Sequence, residues 1–108
     1  MTLDDLAAII RKAQLATLAK EVPRPQAWTY ELKWDGYRIL AFKAADGVRL
    51  MSRRHQDWTG EFPQVARAVG RLFTTECVLD GEVCAIGPNG LPSFQLLEDV
   101  LEVQAEAA

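Results

Sequence analysis

The stretch from Trp28 to Ser52 constrains the fold most, because it is rich in aromatic and β-branched residues and is divided by Ala44-Ala45-Asp46-Gly47. Small, acidic and glycine residues between two such runs mark a hairpin turn. The pattern predicts a strand over 28–42, interrupted at Asp35-Gly36, followed by a second strand over Val48–Ser52. Upstream, Leu3, Leu6, Ala7 and Ile10 recur at helical spacing behind Thr2, a capping residue, with Asp4 and Asp5 in the first turn. This predicts a first helix that ends before about residue 20. Lys20 to Ala27, which contains Pro23 and Pro25, reads as a connecting loop.

Downstream of the hairpin, Arg53–Thr59 is a polar loop, and Phe62, Val65, Ala66, Val69 and Leu72 then fall at three- and four-residue steps behind Pro63. That spacing predicts a short amphipathic helix. Cys77–Ile86 returns to strand composition and closes at Gly87-Pro88-Asn89-Gly90. Ser93 can cap a last helix carrying Phe94, Leu97, Val100 and Leu101, which fades into an alanine- and glutamate-rich end. Helix, hairpin, helix, strand and helix in that order argue for an α+β fold with mainly antiparallel pairing.

With 108 residues, 49% of them hydrophobic, the chain supports one small core. No window reaches the roughly eighteen apolar residues of a membrane span, and the acidic start is unlike a secretory signal. A cytoplasmic location without membrane association is the expectation. Cys77 and Cys84 lie seven apart in one expected strand, on opposite faces and roughly 23 Å apart, too far to bridge. Both read as small buried apolar residues. The net charge of −3 hides an asymmetry: residues 1–54 carry ten Lys/Arg against six Asp/Glu, and residues 55–108 two against nine. The basic half suits phosphates, or else is a scatter of solvated charges.

Chemistry concentrates in Glu31-Leu32-Lys33-Trp34-Asp35-Gly36-Tyr37-Arg38. In a strand, Glu31, Lys33 and Asp35 share one face while Leu32 and Trp34 take the other, so an apolar face anchors a charged one. Gly36 permits a sharp bend or a close backbone approach, which aims Arg38 toward the same region. An ordinary lysine amine, with a pKa near 10.4, is neutral in roughly one molecule in a few thousand at pH 7. Desolvation and the neighbouring Arg38 favour the neutral nucleophile; Glu31 and Asp35 favour the ammonium. The balance stays open, as does the alternative of a surface strand with weakly paired charges.

The pattern K-x-D-G-x-R, here Lys33-Trp34-Asp35-Gly36-Tyr37-Arg38, resembles the signature of the covalent nucleotidyltransferases: ATP-dependent DNA ligases, RNA ligases and mRNA capping enzymes. Two further blocks follow in the family's order. Ser52-Arg53-Arg54-His55-Gln56-Asp57-Trp58-Thr59 ends in Glu61-Phe62-Pro63, and Leu79-Asp80-Gly81-Glu82 continues to Pro92-Ser93-Phe94-Gln95. Together they are similar to bacterial DNA ligases of the non-homologous end-joining type over about residues 15–97. The resemblance implies an ATP-grasp-like adenylation fold in which the Lys33 amine takes AMP from ATP. AMP then passes to the 5′-phosphate of nicked or broken double-stranded DNA, and a 3′-hydroxyl displaces it to seal the strand. It also implies Arg38 and Arg53 near the nucleotide and the DNA 5′-phosphate, Glu82 on the ribose, Glu31 lining the adenine pocket, and Asp35 and Gly36 in support. Magnesium (Mg2+) is required to neutralise the triphosphate and its leaving group. The reading needs Lys33 to be held out of water.

Other residues carry weaker signals. Arg54 is an ordinary basic loop residue, His55 a surface one, and Asp80 either a strand-face acid that orients its neighbours or a member of the site. Trp28, Trp34 and Trp58 read as core or cleft-wall residues rather than base-stacking platforms, since no basic groove sequence is interleaved with them.

The sequence departs from the family in having no lysine after Lys43, where the family places a lysine pair that grips the triphosphate. The resemblance therefore implies that residues 1–108 are a truncated adenylation domain without the oligonucleotide-binding domain, at best feebly self-adenylating and unable to seal nicks alone. Half of such a fold exposes sheet edges and an apolar face, unless Leu97–Ala107 folds back as a substitute helix or a second chain completes the site. Two other functions compete. A capping-type guanylyltransferase would use GTP, and a non-catalytic module would only bind ATP or DNA ends or serve a ligase partner.

Overall fold

The computed structural model describes residues 1–11, 15, 18, 20, 21, 29 and 33–107. The elements run α1 (Leu3–Ile9), β1 (Tyr37–Ala44), β2 (Gly47–Ser52), α2 (Pro63–Gly70), β3 (Cys77–Val83) and α3 (Phe94–Ala107). The three strands form one antiparallel sheet in the order β2-β1-β3. The α+β expectation with antiparallel pairing holds.

Local chemistry sets the helix starts. Thr2 accepts a hydrogen bond from the Asp5 amide while the Asp5 carboxylate accepts one from the Thr2 amide, closing a capping box. Pro63 opens α2, where its missing N–H costs nothing. The Ser93 hydroxyl accepts from the Leu96 amide and starts α3. The hairpin closes on Ala45-Asp46 between the paired Ala44 and Gly47, and Gly47 takes φ 137°, a region open mainly to glycine. The Asp46 carboxylate also accepts the Leu3 amide at 2.9 Å, which ties the start of α1 to this turn.

Side-chain alternation along β1 divides the core between the two faces of the sheet. On one face, Leu40, Phe42 and Ala44 are buried against Leu3 and Leu6 of α1. On the other, Ile39, Ala41 and Leu50 pack with Phe62, Val69 of α2 and Leu97 of α3. Phe42 and Leu50, one from each layer, are 1% and 0% exposed. Burying each stabilises the fold by roughly 2–3 kcal/mol. Tyr37, Trp58, Phe62 and Phe94 extend the second layer through ring contacts with centroids 4.9–5.7 Å apart. The last helix does fold back onto the sheet through Leu97 and Leu101.

Two expectations change. The expected interruption at Asp35-Gly36 is present, with Gly36 a bend, but it is wider than expected: residues 33–35 have no regular structure and β1 runs from Tyr37. Lys33 and Asp35 thus do not alternate on a strand face; Trp28, Glu31 and Leu32 lie outside the described residues. The cysteines are free but half-buried rather than buried, because Cys77 opens β3 and Cys84 follows its last residue. The expected uncovered apolar surface is present: Leu72, Phe73 and Leu79 are exposed, and Leu72 and Leu79 line a groove with Val65 and Val69 between α2 and β3. No helix among the described residues is long and apolar enough to cross a membrane.

Candidate functional site

The face of the sheet that carries α1 has two halves. Toward the hairpin it is apolar and covered. Toward the start of β1 it is charged, because the register sets Arg38 opposite Glu82 and Leu40 opposite Asp80. The Arg38 guanidinium forks onto Asp80, Nε donating to Oδ1 at 3.0 Å and Nη2 to Oδ2 at 2.7 Å. A planar fork matched to a carboxylate is the strongest pairing these two side chains offer. It holds the Asp80 carboxyl below the usual range and raises Arg38 above its own.

Gly36 delivers the preceding segment to this corner. A β-carbon there would overlap the Val83 carbonyl oxygen and lie 2.9 Å from Cys84 Sγ. Only glycine lets β1 enter the sheet while its leading segment crosses the end of β3. The close approach anticipated for Gly36 is therefore its structural role, and it places Lys33, Trp34 and Asp35 beside the end of β3.

Glu82 registers the convergence. Although the residue is exposed, partial burial of its carboxyl pushes its pKa up; Arg38 and Lys33 pull it down, and Asp80 and Asp35 push it further up. Lys33, Asp35, Arg38 and Asp80 thus all lie near enough to act on the Glu82 carboxyl. Lys33 and Asp35 are exposed, so the described residues do not strip water from the amine.

Arg53 takes a different position. It is the first residue beyond the Ile39–Ser52 pair and stands at the same end of the sheet as Arg38, in an exposed turn. That turn is built by its own block. Ser52 Oγ accepts from the amides of Arg54 at 3.3 Å and Gln56 at 3.0 Å, the Ser52 amide donates to the Gln56 carbonyl, and His55 adopts φ 63°. The Asp57 carboxylate accepts both the amide and the hydroxyl of Thr59, whose oxygen accepts the Leu50 amide. Most of this block is scaffolding that presents Arg53 and Arg54 outward. Trp58 belongs to the core layer, as expected, whereas Trp34 is 51% exposed.

The sequence and the fold have counterparts among known proteins. The model of the family "ATP dependent DNA ligase domain" matches residues 6–107. The chain is 40% identical over 90 residues to the multifunctional non-homologous end joining protein LigD of Pseudomonas aeruginosa, covering 82% of this chain and 10% of that protein. It is 38% identical over 82 residues to DNA ligase C of Mycobacterium tuberculosis, covering 75% of this chain and 23% of that one. Among solved structures, the ligase domain of M. tuberculosis LigD matches with a TM-score of 0.57 at 40% identity, over 64% of this chain and 23% of that chain. A mycobacterial DNA ligase D complexed with ATP and MES matches with a TM-score of 0.58 at 39% identity and the same coverage. The chain spans about a tenth of the length of the LigD relatives. A family model matched over nearly the whole sequence, relatives at this identity and a shared sheet together decide the matter: the chain belongs to the ATP-dependent DNA ligase domain family.

Proposed function

We propose that Lys33 is the amine that accepts AMP. The Lys33 nitrogen attacks the α-phosphorus of ATP, an N–P bond forms, the bond to the bridging oxygen breaks, pyrophosphate leaves and the amine proton passes to solvent. The observation that carries this reading is the convergence of Lys33, Asp35, Arg38 and Glu82 at the end of β3, enforced by Gly36. Guanidinium groups suit phosphate oxygens and a carboxylate suits ribose hydroxyls, so Arg38 and Glu82 bracket a nucleotide. Glu31, just before the lysine, would line the base and Arg53 would reach a DNA 5′-phosphate. The likeness to a mycobacterial DNA ligase D complexed with ATP supports ATP as donor.

Among the described residues no three metal-ligating side chains converge, and magnesium enters this reading with the nucleotide's own phosphates, whose charge it neutralises. Lys33 is exposed, and efficient transfer requires a further surface to close over it. A complete ligase would then pass AMP to nicked or broken double-stranded DNA and seal it in end-joining repair. The same exposure favours a second reading, a non-catalytic module that binds ATP or DNA ends.

Intact mass after incubation with magnesium and either ATP or GTP separates these readings. Slow gain of one AMP from ATP, abolished by Lys33→Ala, is the expected result. An adduct only with GTP points to a guanylyltransferase; persistence of the adduct in Lys33→Ala, or no adduct at high ATP after prolonged incubation, sinks the adenylation reading.

A further inference from the structure

The β1–β3 ladder makes Glu82, not Asp80, the residue directly across from Arg38, yet the guanidinium reaches diagonally past it by one pair to close its fork on Asp80. Both acids project from the same face of β3, two residues apart, and a diagonal neighbour lies within reach of a long side chain. The choice between them has a chemical consequence. A fork closed on the facing acid would consume the carboxylate that a ligand's hydroxyl groups need.

We infer that Asp80 is a positioning residue: it holds the Arg38 guanidinium diagonally across the ladder and so leaves Glu82 to the vicinal hydroxyls of a nucleoside. The inference rests on the adenylation reading above. Two donors of the fork, Nε and Nη2, are fixed by the Asp80 oxygens, which sets the plane of the whole group. The pair is open enough to be rebuilt by substitution, with the two side chains 30% and 45% exposed. Removing the Asp80 charge makes Glu82 the nearest remaining acid of β3 for the guanidinium, since it is the direct register partner. Among the described residues, the charged groups facing Glu82 are then Arg38 and Lys33, which attract it, and Asp35, which repels it.

The test uses the full chain and reads two quantities. Carboxyl carbon resonances follow the titration of Glu82 in the wild type, Asp80→Asn, Arg38→Gln and the double variant. Asp80→Asn is expected to lower the Glu82 midpoint more when Arg38 is present than in the Arg38→Gln background. An equal fall in both backgrounds reflects only the loss of one negative charge and overturns the inference. The second quantity is the ATP concentration giving half-maximal AMP attachment, read by intact mass. Asp80→Asn is expected to raise it about tenfold or more, as misplacement of a binding group does, and Asp80→Glu to restore most of the difference. If Asp80→Asn does not fold, Asp80→Glu carries this arm alone: attachment close to wild type supports the inference, and loss as severe as in Arg38→Gln overturns it. A wild-type chain that takes no AMP brings down the adenylation reading and this inference with it. Wild-type attachment kinetics in Asp80→Asn bring down this inference alone.

Discussion

Gly36 and Val83 touch backbone to backbone: the space a side chain at Gly36 would need is filled by the Val83 carbonyl oxygen, with Cys84 Sγ behind it. The obstacle is main chain at the last residue of β3, where Val83 pairs with Tyr37, so it cannot swing aside as a side-chain tip can. Gly36→Ala is therefore expected to lower stability by about 1–3 kcal/mol, the usual cost of forced overpacking, and to separate Lys33 from Glu82. Urea unfolding measures the first effect and AMP attachment under native conditions the second. A variant with an unchanged midpoint would show that the bend accommodates a methyl group.

Lys43 ends its strand face with an ammonium rather than an apolar group, and its Nζ donates to the carbonyl oxygens of Gly70 at 3.0 Å and Leu72 at 2.7 Å. These carbonyls lie at and just past the end of α2, where no further helical amide can reach them, and where a cation is also favoured by the helix dipole. Lys43→Met keeps the aliphatic stem and removes both bonds. It is expected to cost about 1–2 kcal/mol, read from a denaturant midpoint with an unchanged slope. Equal stability of the two proteins would mean that water satisfies these carbonyls as well as the lysine does.

His55 adopts φ 63°, a left-handed conformation in which a β-carbon is strained. Its amide donates to the Ser52 carbonyl at 3.0 Å, so the turn dictates the backbone and the imidazole is incidental. His55→Gly is expected to hold or raise stability by up to about 1 kcal/mol, whereas His55→Val, β-branched at the same position, loses about 1–3 kcal/mol. Thermal unfolding of the pair decides it. AMP attachment should survive His55→Gly, and its loss would place the histidine in the site.

What the sequence made legible follows from how far apart the interacting residues lie. Thr2 and Asp5, Pro63, and Ser93 with Leu96 act within one helical turn, and the helix starts they define match the structure. The Ala45-Asp46 turn is equally local. By contrast, residues 33–35 have no regular structure and β1 starts only after Gly36, which meets Val83 far along the chain, and no propensity of residues 33–35 announces that contact. Asp80 shows the same limit for the site. Its place two residues before Glu82 on one face of β3 is readable, but its selection by Arg38 is set by the ladder register between strands 42 residues apart. Asp57 was missed as scaffolding for the same block that presents Arg53, although an aspartate two residues before a threonine is a recognisable local turn signal.

The Asp57–Thr59 turn gives stability a pH dependence whose sign is fixed. Its carboxylate oxygen accepts the Thr59 hydroxyl at 2.6 Å and the Thr59 amide at 2.9 Å, and these bonds hold its pKa below that of a free aspartate. Asp80 is depressed in the same direction by the Arg38 fork. For a group whose folded value lies below its unfolded value near 3.9, the stabilisation is complete above the unfolded value. It disappears as pH falls through the folded one, because the unfolded chain binds the proton first. Solvent exposure limits the Asp57 contribution to about 1 kcal/mol. The urea midpoint is expected to hold steady down to about pH 5 and to drop toward pH 3, and Asp57→Asn is expected to shrink that drop. Identical acid limbs for the wild type and Asp57→Asn would show that the turn closes as well around a protonated acid as around a carboxylate, and Asp80 would then carry the acid sensitivity of this end of the sheet.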